Sequence, residues 1–184
     1  MSRCGEQHHS HDKCQIDTKS SNVFQSLDEL DFERGIWSAA QSGDLDKVIS
    51  LLDKGENVDV KDTSGYTALH YAARNGHSNV CKYLIARGCD VNAVTKAGLA
   101  TSLHRACSAG SYNIVKILLE HKADVNLQDS DGKTALHRAA SAQNKPICEQ
   151  LLAVSSDLKF VKDAKDKVPF DYATEETLLD LLKI

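Results

Sequence analysis

The chain has 184 residues, of which 41% are hydrophobic and 26% charged, with a formal net charge of −4 at pH 7. That length allows one domain of ordinary size, and the balance fits a soluble globular protein. No apolar run approaches the ~20 residues of a membrane-spanning helix, the opening "MSRCGEQHHSHDKC" lacks the apolar core of a secretory signal, and the negative charge offers no general attraction to nucleic acid or anionic membrane.

Residues 1–27 are polar, rich in Ser, His and Gln, and carry as many basic as acidic groups. They hold too few apolar side chains to offset the entropy of ordering them, so a disordered tail is expected. Within the tail, Cys4, His8, His9, His11 and Cys14 supply enough nitrogen and sulfur donors for a tetrahedral zinc ion. Their spacing matches no common finger, and a solvated His-rich tail is the plainer reading. A zinc-dependent regulatory protein built on this tail is the alternative function. The remaining cysteines, at 89 and, in apolar helical patterns, at 81, 107 and 148, show no disulfide frame. Buried free thiols in a reducing compartment, cytoplasmic or nuclear, are expected.

From residue 28 the pattern changes. "LDELDFERGIWSAA" has spaced apolar positions, with Asp31 a candidate helix N-cap ahead of Phe32, Ile36 and Ala40. The segment "GIWSAAQSGDLDKVISLLDKGENVDV" then aligns with "ALHYAARNGHSNVCKYLIARGCDVNA", with "SLHRACSAGSYNIVKILLEHKADVNL" and with "ALHRAASAQNKPICEQLLAVSSDLKF". Each unit reads as a short helix, a turn and a second helix. Ala39/Ala40, Ala72/Ala73, Ala106/Cys107 and Ala139/Ala140 allow close approach of the first helices, and Gly43, Gly76 and Gly110 end them. The second helix carries the apolar stripe, such as Val80, Leu84 and Ile85, or Ile114, Val115, Leu118 and Leu119. No unit buries that stripe alone, so the units must stack as a solenoid.

The frame T-x-L-H recurs with His70, His104 and His137, and "YTALHYAARNGH" is its fullest form. With a period of about 33 residues it resembles the ankyrin repeat. The resemblance covers residues 31–184 and implies an all-α ankyrin-repeat solenoid of helix-turn-helix units joined by hairpin-like turns. The repeats fall at about 31–61, 62–94, 95–128 and 129–161 within a domain 28–184. A partial cap follows over 162–184, where "VPFDYA" has Asp171 in the histidine slot. The resemblance further implies that Thr67 with His70, Thr101 with His104, and Thr134 with His137 are hydrogen-bonded pairs fixing the turns, rather than catalytic groups. Trp37 takes the histidine slot of the opening repeat, where packing or capping is expected.

Several positions depart from the pattern. Leu99 or Ala100 is an extra residue, so the third hairpin is expected to bulge. Gln143 and Lys122 replace glycines; if they keep a left-handed backbone, each costs roughly 1–2 kcal/mol. Pro146 falls at the start of a second helix, where a missing N–H is tolerated. The repeat 129–161 is therefore expected to be the loosest.

No acid, base and nucleophile converge in the sequence, no phosphate loop appears, and no cofactor is implied. The expected function is a non-enzymatic scaffold, monomeric, that binds another protein through its concave face. Tyr66, Tyr71, Arg74, Lys96, Arg105, Lys133 and Arg138 are the candidate partner-binding residues, a basic stripe with aromatic residues at one end. Such a stripe suits an acidic peptide or protein face and makes nucleic acid an unlikely partner; the competing reading is ordinary solvated arginines. Exchange of Arg105 and Arg138 for Glu is expected to leave thermal unfolding nearly unchanged. The family resemblance also implies modification by an iron- and 2-oxoglutarate-dependent asparaginyl hydroxylase. The candidate sites are Asn92, with Val91, Asp90 and Leu84 before it, and Asn126, with Val125, Asp124 and Leu118.

Overall fold

A computed structural model describes residues 35–183. The expectations for the tail 1–27, for its donors Cys4, His8, His9, His11 and Cys14, and for Asp31 and Phe32 lie outside the described residues. The helices are α1 (Ile36–Ser42), α2 (Leu45–Asp53), α3 (Ala68–Asn75), α4 (Ser78–Ala86), α5 (Ser102–Ser108), α6 (Tyr112–Glu120), α7 (Ala135–Ser141) and α8 (Lys145–Val154). Two 3-10 turns, Ser156–Phe160 and Pro169–Tyr172, and α9 (Glu176–Leu182) complete the chain. The described residues contain no strand, as the helical periodicity requires.

The helices form two layers. The first helices α1, α3, α5 and α7 stack side by side and end against the 3-10 turn Pro169–Tyr172, while α2, α4, α6 and α8 pack behind them. The small pairs explain the first layer: Ala39, Ala40, Ala72, Ala73, Ala106, Cys107, Ala139 and Ala140 are all buried, so backbones meet with little side chain between them. Leu69, Leu103 and Leu136 point into the space between layers and are fully buried, as are Val80, Leu84, Ile114, Leu118, Ile147 and Leu151 of the second helices. Each such side chain contributes about 1.5–3 kcal/mol. Ile85 and Leu119, on the same stripe, are only half-buried.

Hairpins join the repeats and stack on one another through backbone bonds. Lys96 N–H donates to Ser64 C=O at 3.0 Å, Ser130 N–H to Gly98 C=O at 2.9 Å, and Ala164 N–H to Asp131 C=O at 2.9 Å. This approach explains Gly132, which has φ 73° and whose Cβ, if present, would lie 2.7 Å from the Ala164 backbone nitrogen. Asp166 is one repeat further along and shares the left-handed backbone, φ 58°. It lies within the hairpin 163–167, where its carboxylate faces Lys162 Nζ at 3.7 Å.

The departures from the repeat pattern resolve individually. Leu99 is the extra residue: it is left-handed, φ 46°, and 47% exposed, whereas Ala100 is buried and pairs with Thr95 N–H through its carbonyl. Lys122 and Gln143 do keep left-handed backbones, φ 61° and 53°. The Gln143 amide compensates. It donates to Ala140 and Tyr172 C=O, both at 2.9 Å, and accepts from Thr174 and Glu175 N–H at 2.9 and 3.3 Å. These bonds tie the repeat 129–161 to the cap in a way that a glycine at 143 could not. Pro146 lies in the first turn of α8, where the N-cap Asn144 side chain accepts from Ile147 N–H.

Candidate functional site

The recurrent Thr–His pairs build each hairpin end. Thr67 N–H and hydroxyl both reach His70 Nδ1, at 3.2 and 2.9 Å, and the geometry repeats at Thr101–His104 and Thr134–His137. A backbone N–H can only donate, so Nδ1 is an acceptor and the proton sits on Nε2. That Nε2–H donates to the next repeat: His70 to Ala100 C=O at 3.0 Å, His104 to Lys133 at 2.9 Å, His137 to Lys167 at 3.2 Å. Each imidazole is therefore a neutral strut between repeats. Burial pushes His70 down to about 4, against the opposing pull of the Ala100 carbonyl, and burial likewise lowers His104 and His137. In the cap, Asp171 replaces the imidazole and its carboxylate accepts Val168 N–H at 2.9 Å. In the opening repeat, Trp37 Nε1–H donates to Val60 C=O at 2.9 Å, the capping role expected of it.

A second recurring device was not read from the sequence. Asp62, Asp129 and Asp163 open their hairpins, and one carboxylate oxygen of each accepts two backbone N–H groups, for example Asp131 and Lys133 at 2.9 and 3.0 Å on Asp129. The other oxygen takes a side chain from the first helix or 3-10 turn that follows. Tyr71 hydroxyl donates to Asp62 at 2.6 Å, Arg138 Nε–H to Asp129 at 2.8 Å with an Nη of Arg138 on the same oxygen, and Tyr172 hydroxyl to Asp163. The signal was present as an Asp five residues before the Thr or Val N-cap, with glycine between them at 65 and 132.

The hairpin at residues 95–100 breaks the series. Thr95 stands where the others have Asp, and its hydroxyl accepts Ala100 N–H at 3.1 Å. Arg105, the counterpart of Tyr71 and Arg138, thus lacks a carboxylate. It donates instead to the Tyr66 hydroxyl, lies over the Tyr66 ring with its guanidinium carbon 5.0 Å from the centroid, and leaves a buried Nε–H with no acceptor among the described residues.

The stripe of cations is therefore not uniform. Arg138 is neutralised by Asp129, whose side chain is 1% exposed, and by Asp131 at 3.1 Å. The expectation that Arg138 is exchangeable without cost to stability is corrected: a Glu there would face a buried carboxylate. Lys133 lies over the Tyr172 ring at 4.3 Å, and exposed Lys96 donates to Thr63 C=O at 3.1 Å. Tyr66 and Tyr71 contact each other, with ring centroids 5.4 Å apart. Arg74 is exposed on the last turn of α3. Among the described residues neither Arg74 nor Arg105 forms an ion pair.

The asparagines also differ. Asn92 is half-buried and its side-chain carbonyl accepts Asp124 N–H at 2.9 Å, which ties two hairpins together; Asn126 is exposed and bonds only within its own turn. The cysteines Cys81, Cys89, Cys107 and Cys148 are free and buried, and burial raises all four thiols, those of Cys81, Cys89 and Cys148 to about 12. Raised thiols hold little of the reactive thiolate at neutral pH, which suits packing as small apolar side chains. Among the described residues no group of three or more His, Cys, Asp or Glu side chains is placed to hold a metal ion, and no helix is long and apolar enough to cross a membrane.

Stacked helix pairs with Thr–His struts define a repeat-protein class, and comparison agrees. The family model for ankyrin repeats in three copies matches residues 36–129 and 103–184, and the chain belongs to the ankyrin repeat family. Among individual proteins it is similar to human ankyrin repeat domain-containing protein 39, 55% identical over 73 residues, which are 40% of each chain. The bovine protein of that name is 55% identical over 64 residues, 35% of each chain. Palmitoyltransferase akr1 of Schizosaccharomyces pombe is 46% identical over 143 residues, which span 76% of this chain and 22% of that protein. The matched stretches are thus well under half the length of these relatives.

Proposed function

We propose that the chain is a non-enzymatic scaffold that binds an acidic segment of a partner protein on the concave face formed by its first helices and hairpin bases. The observation that carries this reading is the cluster of Tyr66, Tyr71, Arg74 and Arg105. Two aromatic rings in contact stand with two arginines that have no carboxylate partner of their own among the described residues. Aromatic and arginine side chains dominate binding energy at many interfaces, and a guanidinium takes a carboxylate bidentately. Lys96 and Lys133 flank the cluster and contribute to the field rather than to direct contacts. Affinity capture with the full chain, comparing wild type with the Arg74→Glu/Arg105→Glu variant, tests the reading. The main captured protein is lost with the variant while its unfolding midpoint stays near wild type; retention of that partner by a folded variant overturns it.

In this reading the protein is a monomer of a reducing compartment, cytosol or nucleus, which suits four buried free thiols. It is also a substrate for asparaginyl hydroxylation. Asn126 is modified more readily than Asn92, because the Asn92 amide must first release Asp124 N–H. Mass spectrometry after co-expression with the hydroxylase checks this, and the absence of added oxygen at both residues overturns it.

A further inference from the structure

In three of the hairpins the chain supplies its own carboxylate to the polar side chain that follows: Asp62 to Tyr71, Asp129 to Arg138 and Asp163 to Tyr172. Each pair is nine residues apart. In the remaining hairpin the loop is one residue longer, Thr95 replaces the aspartate, and the side chain awaiting a carboxylate is an arginine. Arg105 is held in place without being neutralised. The Tyr66 ring and hydroxyl fix its guanidinium, its Nε–H has no acceptor among the described residues, and the residue is half-buried. A positioned cation of this kind has already lost much of its rotamer freedom, so an incoming carboxylate is bound at a lower entropic cost than by a mobile surface arginine.

Resting on the concave-face reading above, we infer that Arg105 is the specificity anchor of that face: it receives one Asp or Glu side chain of a partner peptide, replacing the carboxylate that the chain itself supplies in the other hairpins. The same loop presents Leu99, 47% exposed at its tip, so the recognised segment carries an apolar residue close to its acid. Charge complementarity selects an isolated carboxylate over a polyanion. The neighbouring hairpins carry Asp62 and Asp163, whose carboxylates are paired with tyrosine hydroxyls and not with a cation side chain, and they would repel a continuous run of phosphates but not one acid set over Arg105. Arg138, already paired, takes no part.

The decisive variant is Thr95→Asp, which restores the internal carboxylate. The fold accommodates it, since Asp does the same work at 62, 129 and 163. A random dodecapeptide display library is selected on the full-length wild-type chain, and the enriched peptides are measured by fluorescence anisotropy on wild type, Thr95→Asp and Arg105→Gln, the last keeping a donor for Tyr66. Wild type enriches peptides with one acidic position beside an apolar one. Thr95→Asp and Arg105→Gln each weaken their binding at least tenfold, and exchange of the peptide's acid for its amide does the same. Equal binding by folded Thr95→Asp and Arg105→Gln overturns the anchor; if that binding is still abolished by Arg74→Glu, the concave-face reading survives. Should Thr95→Asp fail to fold, Arg105→Gln and the peptide amide decide alone. Failure to enrich any peptide, or tighter binding of a single-stranded oligonucleotide than of the peptides, overturns both readings.

Discussion

His104 donates its Nε2–H to the carbonyl of Lys133, one repeat further along, at 2.9 Å. On its other side Nδ1 accepts from Thr101, and that acceptance needs a neutral ring. His70 and His137 repeat the arrangement, so protonation of any of the three leaves the bond to the next repeat but turns Nδ1 against the N–H of its own Thr N-cap.

Stability should accordingly depend on pH in the mildly acid range. The folded-state value of His70 is pushed down to about 4, below the unfolded 6.5, so the unfolded chain takes up the proton first. The His70 contribution is complete above pH 6.5 and declines as pH falls toward 4, by about 1.4 kcal/mol per pH unit within that window. His104 and His137 act in the same direction. Urea unfolding between pH 7.5 and 5 measures this; a flat profile would contradict the tautomer assigned here.

The two arginines of the face should separate in stability. Arg138→Met leaves the nearly inaccessible Asp129 carboxylate without its cation and should cost about 2–4 kcal/mol, somewhat less than for a fully buried pair because Arg138 is 31% exposed. Arg105→Gln removes no ion pair, only the stacking and hydrogen bond on Tyr66, and should cost about 1 kcal/mol, clearly less than Arg138→Met. Thermal and denaturant unfolding of both variants check the contrast.

Two left-handed positions should respond oppositely. Gly132→Ala forces a Cβ to within 2.7 Å of the Ala164 backbone and should cost about 2 kcal/mol or more through displacement of the next hairpin. Lys122→Gly relieves strain at an exposed residue with φ 61° and should gain about 1 kcal/mol. Unfolding midpoints of the pair read both effects, and a gain from Gly132→Ala would disprove the close approach.

Gln143 connects the last full repeat to the cap. Gln143→Gly relieves the left-handed backbone but abolishes the bonds to Tyr172, Thr174 and Glu175. Net loss is expected, with hydrogen exchange accelerated by tenfold or more over residues 163–183 and little changed in α3 and α5. Faster exchange in the repeats themselves would assign Gln143 a different role.

What the sequence determined on its own was whatever repeats within a few residues or at constant period: the helix pairs, the small residues between first helices and the glycines that end them, while the Thr–His pairs three apart were implied by the family resemblance that this period carries. Local geometry governs these, so a periodic pattern is enough to read them. The face was decided by tertiary structure. Tyr66 and Arg105 are 39 residues apart, and they meet only because stacking sets one hairpin base over the next helix. Arg138 and Arg105 look equivalent in the sequence, yet the first is neutralised across its hairpin and the second is not. The difference depends on where each hairpin's first side chain points once the loop closes, and in the hairpin at 95–100 Thr95 and the extra Leu99 changed both the chemistry and the length of that loop.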